Sequence, residues 1–198
     1  CPSYSLYCTM SEANGIPYEK VPLDQNLDVR FDLLLKKKYA MVILCSPNNP
    51  TGKGIPVDQI DAFLSKFKGL CVVDEAYVDF YGETALPLIK KYDNLIVSRS
   101  FSKSYSLAGL RIGIAAAQKE IIDGFLKLKD SYNVDRLACA GAHAALLDRK
   151  NFLYSTGMVR NNKEYMEDRL ASLGFEIVPS KANFLFVRHG KAPAGVLY

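Results

Sequence analysis

The sequence predicts an α/β fold: a mainly parallel sheet flanked by helices, followed by the start of a smaller C-terminal α+β domain. Three observations predict it. Short apolar runs recur through the first half of the chain. Amphipathic stretches of helical period lie between them. Near residue 150 the order changes to one long polar helix and then two strand-like runs.

The strands come first. Val42-Ile43-Leu44-Cys45, Leu70-Cys71-Val72-Val73 and Leu95-Ile96-Val97 are brief, apolar and bounded by polar or turn residues. Runs of that kind read as buried strands. Ile112-Gly113-Ile114-Ala115 is a weaker fourth. From Pro56 to Phe67, the residues Ile60, Phe63, Leu64 and Phe67 recur at helical spacing, with the proline suited to a first turn. Ile121, Ile122, Phe125 and Leu128 do the same within 118–128. Strand–helix–strand alternation implies parallel pairing with helices over both faces. An Ala-rich helix is expected over 135–147. A long polar helix follows over about 152–173, with Gly174 as its C-terminal cap. Phe175-Glu176-Ile177-Val178 and Phe184-Leu185-Phe186-Val187 then read as strands joined through Pro179-Ser180. The division expected is 1–149 for a large domain and 150–198 for part of a small one.

Composition narrows the function. With 49% hydrophobic and 23% charged residues over 198 positions, the chain can bury a core and does not have the balance of a disordered segment. The net charge of +4 is spread out. Its densest run, Lys36-Lys37-Lys38, follows Leu33-Leu34-Leu35 and reads as a solvated helix end, not a nucleic-acid patch. The five cysteines show no C-x-x-C spacing, which points to free thiols in a reducing compartment. Two distant histidines, His143 and His189, argue against a zinc site or a histidine-based triad. No apolar run is long enough to span a membrane and no signal-peptide pattern opens the chain. The chain reads as beginning mid-protein.

In open α/β sheets, ligands sit beyond the carboxyl ends of the strands. Three polar segments lie there: Ser46 to Gly52, Asp74 to Tyr77, and Ser98 to Lys103. The first is rich in Pro, Asn and Gly, which makes a rigid turn able to hold an Asn amide still. The second puts a carboxylate at the end of an apolar strand, where it needs a cationic partner. That partner is either a structural arginine or a protonated ring nitrogen on a cofactor. The third gathers hydroxyls and Lys103, with Arg111 eight residues on, a set suited to a phosphate. Ser100-x-x-Lys103 also fits the S-x-x-K signature of serine acyl-enzymes, but its companions S-D-N and K-T-G are missing. Neither G-x-x-x-x-G-K-[ST] nor G-x-G-x-x-G is present.

Four segments carry a resemblance: Asn49-Pro50-Thr51-Gly52, Asp74-Glu75-Ala76-Tyr77, Ser100-Phe101-Ser102-Lys103 and Ala108-Gly109-Leu110-Arg111-Ile112-Gly113. In order and spacing they resemble fold-type I pyridoxal-phosphate aminotransferases. Asp74-Glu75-Ala76-Tyr77-Val78-Asp79-Phe80 and Leu107-Ala108-Gly109-Leu110-Arg111 are most similar to the histidinol-phosphate aminotransferases. The resemblance implies that Lys103 holds pyridoxal 5'-phosphate as a Schiff base and shuttles the proton. It implies that Asp74 pairs with the ring nitrogen and that Asn49 and Tyr77 bind the phenolic oxygen. Ser100, Ser102 and Arg111 would hold the phosphate, and Tyr4 would stack on the ring. It further implies a cytoplasmic homodimer that passes nitrogen from an amino donor to a 2-oxo acid acceptor, histidinol phosphate and 2-oxoglutarate being the expected pair. The family's glycine-containing phosphate loop would precede residue 1, and its substrate-carboxylate arginine would follow residue 198. Two rivals remain: a decarboxylase of a phosphorylated amino acid, using the same Lys103 and Asp74, and a non-catalytic regulator module of this fold. Tyr132 and Asn133 either face substrate or belong to a helix cap.

Overall fold

The computed structural model describes residues 2–197. Four strands form the main sheet: β1 (Met41–Cys45), β2 (Leu70–Asp74), β3 (Leu95–Ser100) and β4 (Gly113–Ala116), in spatial order β1-β2-β3-β4. The first two pairings are parallel. The third is antiparallel, with Ser100 opposite Gly113. The weak fourth strand therefore exists, but it runs against the parallel direction of the others. A parallel return needs a crossover, usually a helix. The segment 101–112 carries only a 3₁₀ turn at Ala108–Leu110, so the chain doubles back instead.

Alternation along the strands builds the core. Val42, Cys71 and Leu95 lie side by side in register, as do Leu44, Val73 and Val97, and all six are buried. Helix α3 (Val57–Leu64) lays Ile60, Phe63 and Leu64 into the same cluster, and Phe63 stacks on Phe67 at 4.8 Å. Each such side chain contributes ~1.5–3 kcal/mol when taken from water. Burial also pushes the Cys71 thiol up to about 12, so it is a small core residue and not a nucleophile. Cys1 lies outside the described residues; Cys8, Cys45, Cys71 and Cys139 are free thiols.

The first helix, α1 (Leu6–Ala13), buries none of its residues, and a short α2 (Phe31–Leu34) precedes the exposed lysine run. Between β2 and β3, α4 (Val78–Tyr81) starts directly after Tyr77. Helix α5 (Lys119–Leu128) follows β4. Helix α6 (Arg136–Leu147) is capped by Asp135, whose carboxylate accepts from the N–H groups of Leu137 and Ala138. Asp148 caps α7 (Arg149–Ser172) through the Asn151 N–H. Gly174, at φ +84°, closes α7 as expected. Two antiparallel strands come next, β5 (Phe175–Val178) and β6 (Phe186–His189), and a last turn of helix, α8 (Ala194–Leu197). Strand β6 begins two residues later than the apolar run 184–187 predicts. Phe184 is drawn instead against the Tyr77 ring, edge to face at 5.1 Å. No helix of the described residues is long and apolar enough to cross a membrane.

The turn before β5's partner strand meets the Asn-rich loop directly. Lys181 N–H donates to Gly52 O (2.7 Å), and Gly52 N–H donates to Asn48 O (2.7 Å). Gly52 sits at φ +74°, and a Cβ there would lie 2.4 Å from Ser180 Oγ and 3.1 Å from Ser180 Cα. Gly52→Ala is therefore expected to destabilise the protein by about 1–3 kcal/mol, from left-handed strain plus overpacking. Thermal unfolding of the full-length variant checks this; an unchanged midpoint would show that Ser180 yields without cost.

Candidate active site

The three strand ends that the sequence singles out converge. Cys45, Asp74 and Ser98 are neighbours in register across β1, β2 and β3, so the loops that follow them emerge together from one edge. The loop after β1 is rigid for a reason visible in its bonds. Asn48, buried, donates to Pro2 O (3.1 Å) and Thr51 Oγ1 (2.9 Å) and accepts from Ser3 Oγ (2.8 Å). The segment that carries Tyr4 is thereby tied to the loop that carries Asn49. Asn49, one residue on, is the amide that points outward from this hub: it donates to Tyr77 Oη at 3.1 Å.

Tyr77 is 7% exposed, and the Lys103 amine lies 5.5 Å from its ring centroid. Lys103 is itself exposed, on the loop after β3, and among the described residues it makes no salt bridge. Next to it, Ser100 Oγ accepts from Ser102 N–H (3.0 Å). Phe101 N–H donates to Ile112 O (3.2 Å), which brings the Arg111 backbone beside Ser100–Ser102. Arg111 is exposed, adopts φ +51°, and donates from Nη1 to Ala108 O (2.8 Å).

Asp74 narrows the open question of its partner. No salt bridge reaches it among the described residues; its partners are Tyr7 Oη, donating to Oδ2 at 2.6 Å, and Ala76 N–H, donating to Oδ1 at 3.0 Å. The arginine expected as one possible partner is elsewhere. Arg99 forks onto Glu75, 2% exposed, through Nε (3.0 Å) and Nη2 (2.9 Å). Thr84 Oγ1 and Ala85 N–H complete the Glu75 shell. A buried charge with a full set of donors is structural. The adjacent carboxylate, Asp74, is held by hydrogen bonds alone among the described residues. Burial first, then Cys45 and Asp74 beside it, pushes the Tyr7 phenol above its usual range, so it stays protonated and donates. Burial likewise pushes the Cys45 thiol up to about 11.

Tyr4 is 41% exposed and meets Tyr7 edge to face at 5.6 Å, which places it on the Asp74 side of the cluster. Tyr132 does not join the site through any observed contact. It is exposed, and its N–H donates to Asp130 Oδ1 in a turn. Nothing in the sequence singles out Tyr7 or Asn48. The one signal for Tyr7 is the need of a strand-end carboxylate for a donor, and several hydroxyls could have met it.

The donor set is chemically specific. A carboxylate lacking a cation accepts a protonated ring nitrogen. An Asn amide and a Tyr hydroxyl serve a phenolic oxygen. Serines and an arginine serve a phosphate, and a lone amine serves a carbonyl. A profile of the family described as aminotransferase class I and II matches residues 1–196. The chain belongs to that family. Within the aminotransferase class I and II proteins it is 43% identical over 191 residues to histidinol-phosphate aminotransferase 1 of Bradyrhizobium diazoefficiens, covering 94% of this chain and 54% of that protein. It is similar to the crystal structure of histidinol-phosphate aminotransferase from Sinorhizobium meliloti in complex with pyridoxal-5'-phosphate. There the TM-score is 0.88 at 29% identity, over 96% of this chain and 54% of that one. L-threonine-O-3-phosphate decarboxylase from Porphyromonas gingivalis matches with a TM-score of 0.84 at 26% identity, over 99% and 60%. The chain thus spans about half the length of the curated relatives it matches.

Proposed function

We propose that this chain is the cofactor-binding part of a pyridoxal-phosphate aminotransferase acting on histidinol phosphate and 2-oxoglutarate in histidine biosynthesis. The observation that carries the reading is the convergence of Lys103, Tyr77 and Asn49 beside a cation-free Asp74. When bound, pyridoxal phosphate supplies a carbonyl that takes up amines and a ring that withdraws electrons from the carbon bearing the amino group.

The chain's own residues would do the rest. Lys103 holds the cofactor covalently through its amine, which must be unprotonated to attack. Its free amine would take the proton from the substrate Cα and return it at C4′. Asp74 holds a proton on the ring nitrogen, with Tyr7 and Ala76 fixing its two oxygens. Asn49 and Tyr77 orient the ring through its phenolic oxygen. Ser100, Ser102 and Arg111 bind the phosphate, and Tyr4 stacks on the ring face. The substrate class rests on the 43% identical histidinol-phosphate relative, whereas the decarboxylase match is structural at 26% identity. The same family likeness supports a homodimer in the cytoplasm, and a division near residue 150 between a large cofactor domain (1–149) and part of a small one (150–198).

The test is borohydride reduction of the full-length protein with pyridoxal phosphate, followed by peptide mass mapping. A pyridoxyl group on Lys103 is expected. A folded, complete protein that takes up no label would remove the enzyme reading and favour a non-catalytic module.

A further inference from the structure

The loop carrying Lys103 is gripped by contacts that the proposed chemistry does not use. Ser104, 5% exposed, donates its hydroxyl to Asp79 Oδ2 on α4. Tyr105 stacks on Phe152 of α7 at 4.8 Å and lies 4.9 Å from Phe101. Leu107 N–H donates to Phe101 O (3.0 Å) and Ser106 N–H to Lys103 O (3.3 Å), so the loop closes on itself. Ser106 takes φ +56°, a conformation that the surrounding contacts must hold in place. Asp79 lies two residues after Tyr77, whose ring faces the Lys103 amine. One short stretch of chain therefore presents both the ring beside the amine and the carboxylate that grips the amine's covalent neighbour.

We propose that Asp79 is a positioning residue: by accepting the Ser104 hydroxyl it fixes the backbone at Lys103 and aims the amine across the face of Tyr77. This rests on the reading of Lys103 given above. A hydrogen bond to a carboxylate is shorter and roughly twice as strong as a neutral one. Ser104 is buried, so water cannot readily replace the acceptor. Among the described residues no salt bridge reaches Asp79 to compete with this bond. Tyr105 on Phe152 secures the other side of Ser104, so loss of Asp79 lets the loop pivot rather than unravel.

The test compares Asp79→Ala, Asp79→Asn and Ser104→Ala in the full-length enzyme loaded with pyridoxal phosphate. The readouts are kcat and KM for histidinol phosphate, and the pH midpoint of the visible absorbance of the Lys103-linked cofactor. Misaiming a reacting group by about 1 Å costs up to about a hundredfold. Asp79→Ala and Ser104→Ala should each lower kcat about ten- to a hundredfold with KM nearly unchanged, and should move the absorbance midpoint. Asp79→Asn, which keeps an acceptor, should restore most of both. The double variant Asp79→Ala/Ser104→Ala should be no worse than either single one. A lower melting temperature with kcat and the midpoint unchanged would overturn the proposal, leaving Asp79 a stabilising contact. If Asp79→Ala does not fold, Ser104→Ala, which removes only the donor, decides by the same criteria. A wild-type protein without label on Lys103 would overturn the underlying function as well, whereas a labelled wild type with unaffected variants overturns only the role of Asp79.

Discussion

Lys103→Ala in the full-length protein should abolish the visible absorbance of the bound cofactor and lower turnover on the order of a thousandfold or more. Two losses combine. The covalent hold on the cofactor goes, and so does the group that moves the substrate proton; positioned acid–base catalysis alone is worth about 10²–10⁴-fold. Stability is not expected to follow. Lys103 is exposed and in no salt bridge among the described residues, and surface changes of that kind stay within about ±0.5 kcal/mol. Turnover of the loaded enzyme and the melting temperature of the cofactor-free protein should therefore separate cleanly. A variant that kept wild-type turnover would sink the assignment.

Asp74→Ala gives the second large effect, of a different kind. The phosphate contacts proposed for Ser100, Ser102 and Arg111 are untouched, so some cofactor should still bind. Loss of the carboxylate that holds a proton on the ring nitrogen should slow removal of the substrate's Cα proton on the order of a hundredfold or more, the scale on which a single preorganised electrostatic contact acts. Deuterium exchange at Cα measures that step directly, and an unchanged rate would refute the electron-sink role. This variant should also be less stable, because the half-buried Tyr7 phenol loses its Asp74 acceptor. Loss of a hydrogen bond of this kind costs about 0.5–1.5 kcal/mol. Asp74→Asn, which leaves Tyr7 an acceptor, should recover stability without recovering the rate.

Much of the fold was legible because its strands obey simple patterning. The runs at 42–45, 70–73 and 95–97 became β1, β2 and β3 with only their ends adjusted, and Asp135 and Gly174 punctuated helices by local chemistry alone. Direction was harder. Residues 112–115 look alike in either orientation, and only the absence of a crossover helix before them decides for antiparallel. Helix α1 was missed because it buries nothing, so no apolar period marks it. At the site, the segments holding Asn49, Asp74, Tyr77 and Lys103 could be singled out because they follow apolar strands, where ligands of open α/β sheets sit, and the family resemblance picked the residues within them. Their supports could not. Tyr7 reaches Asp74 across 67 positions and Ser3 reaches Asn48 across 45, and no local pattern records such pairings. Arg99 shows the same gap: its pairing with Glu75, 24 positions away, is a contact that no local pattern records.

The reversal of the chain between β3 and β4 couples two functions that the sequence separates. Ser100 pairs with Gly113, and Phe101 with Ile112, so the segment bearing both Lys103 and Arg111 is closed at its base by the same few backbone bonds. Opening of those base bonds releases the Lys103 and Arg111 segments together. On the proposed function, a step that unzips this base would loosen both contacts with the cofactor in one event, whereas movement within 101–107 alone would shift only Lys103.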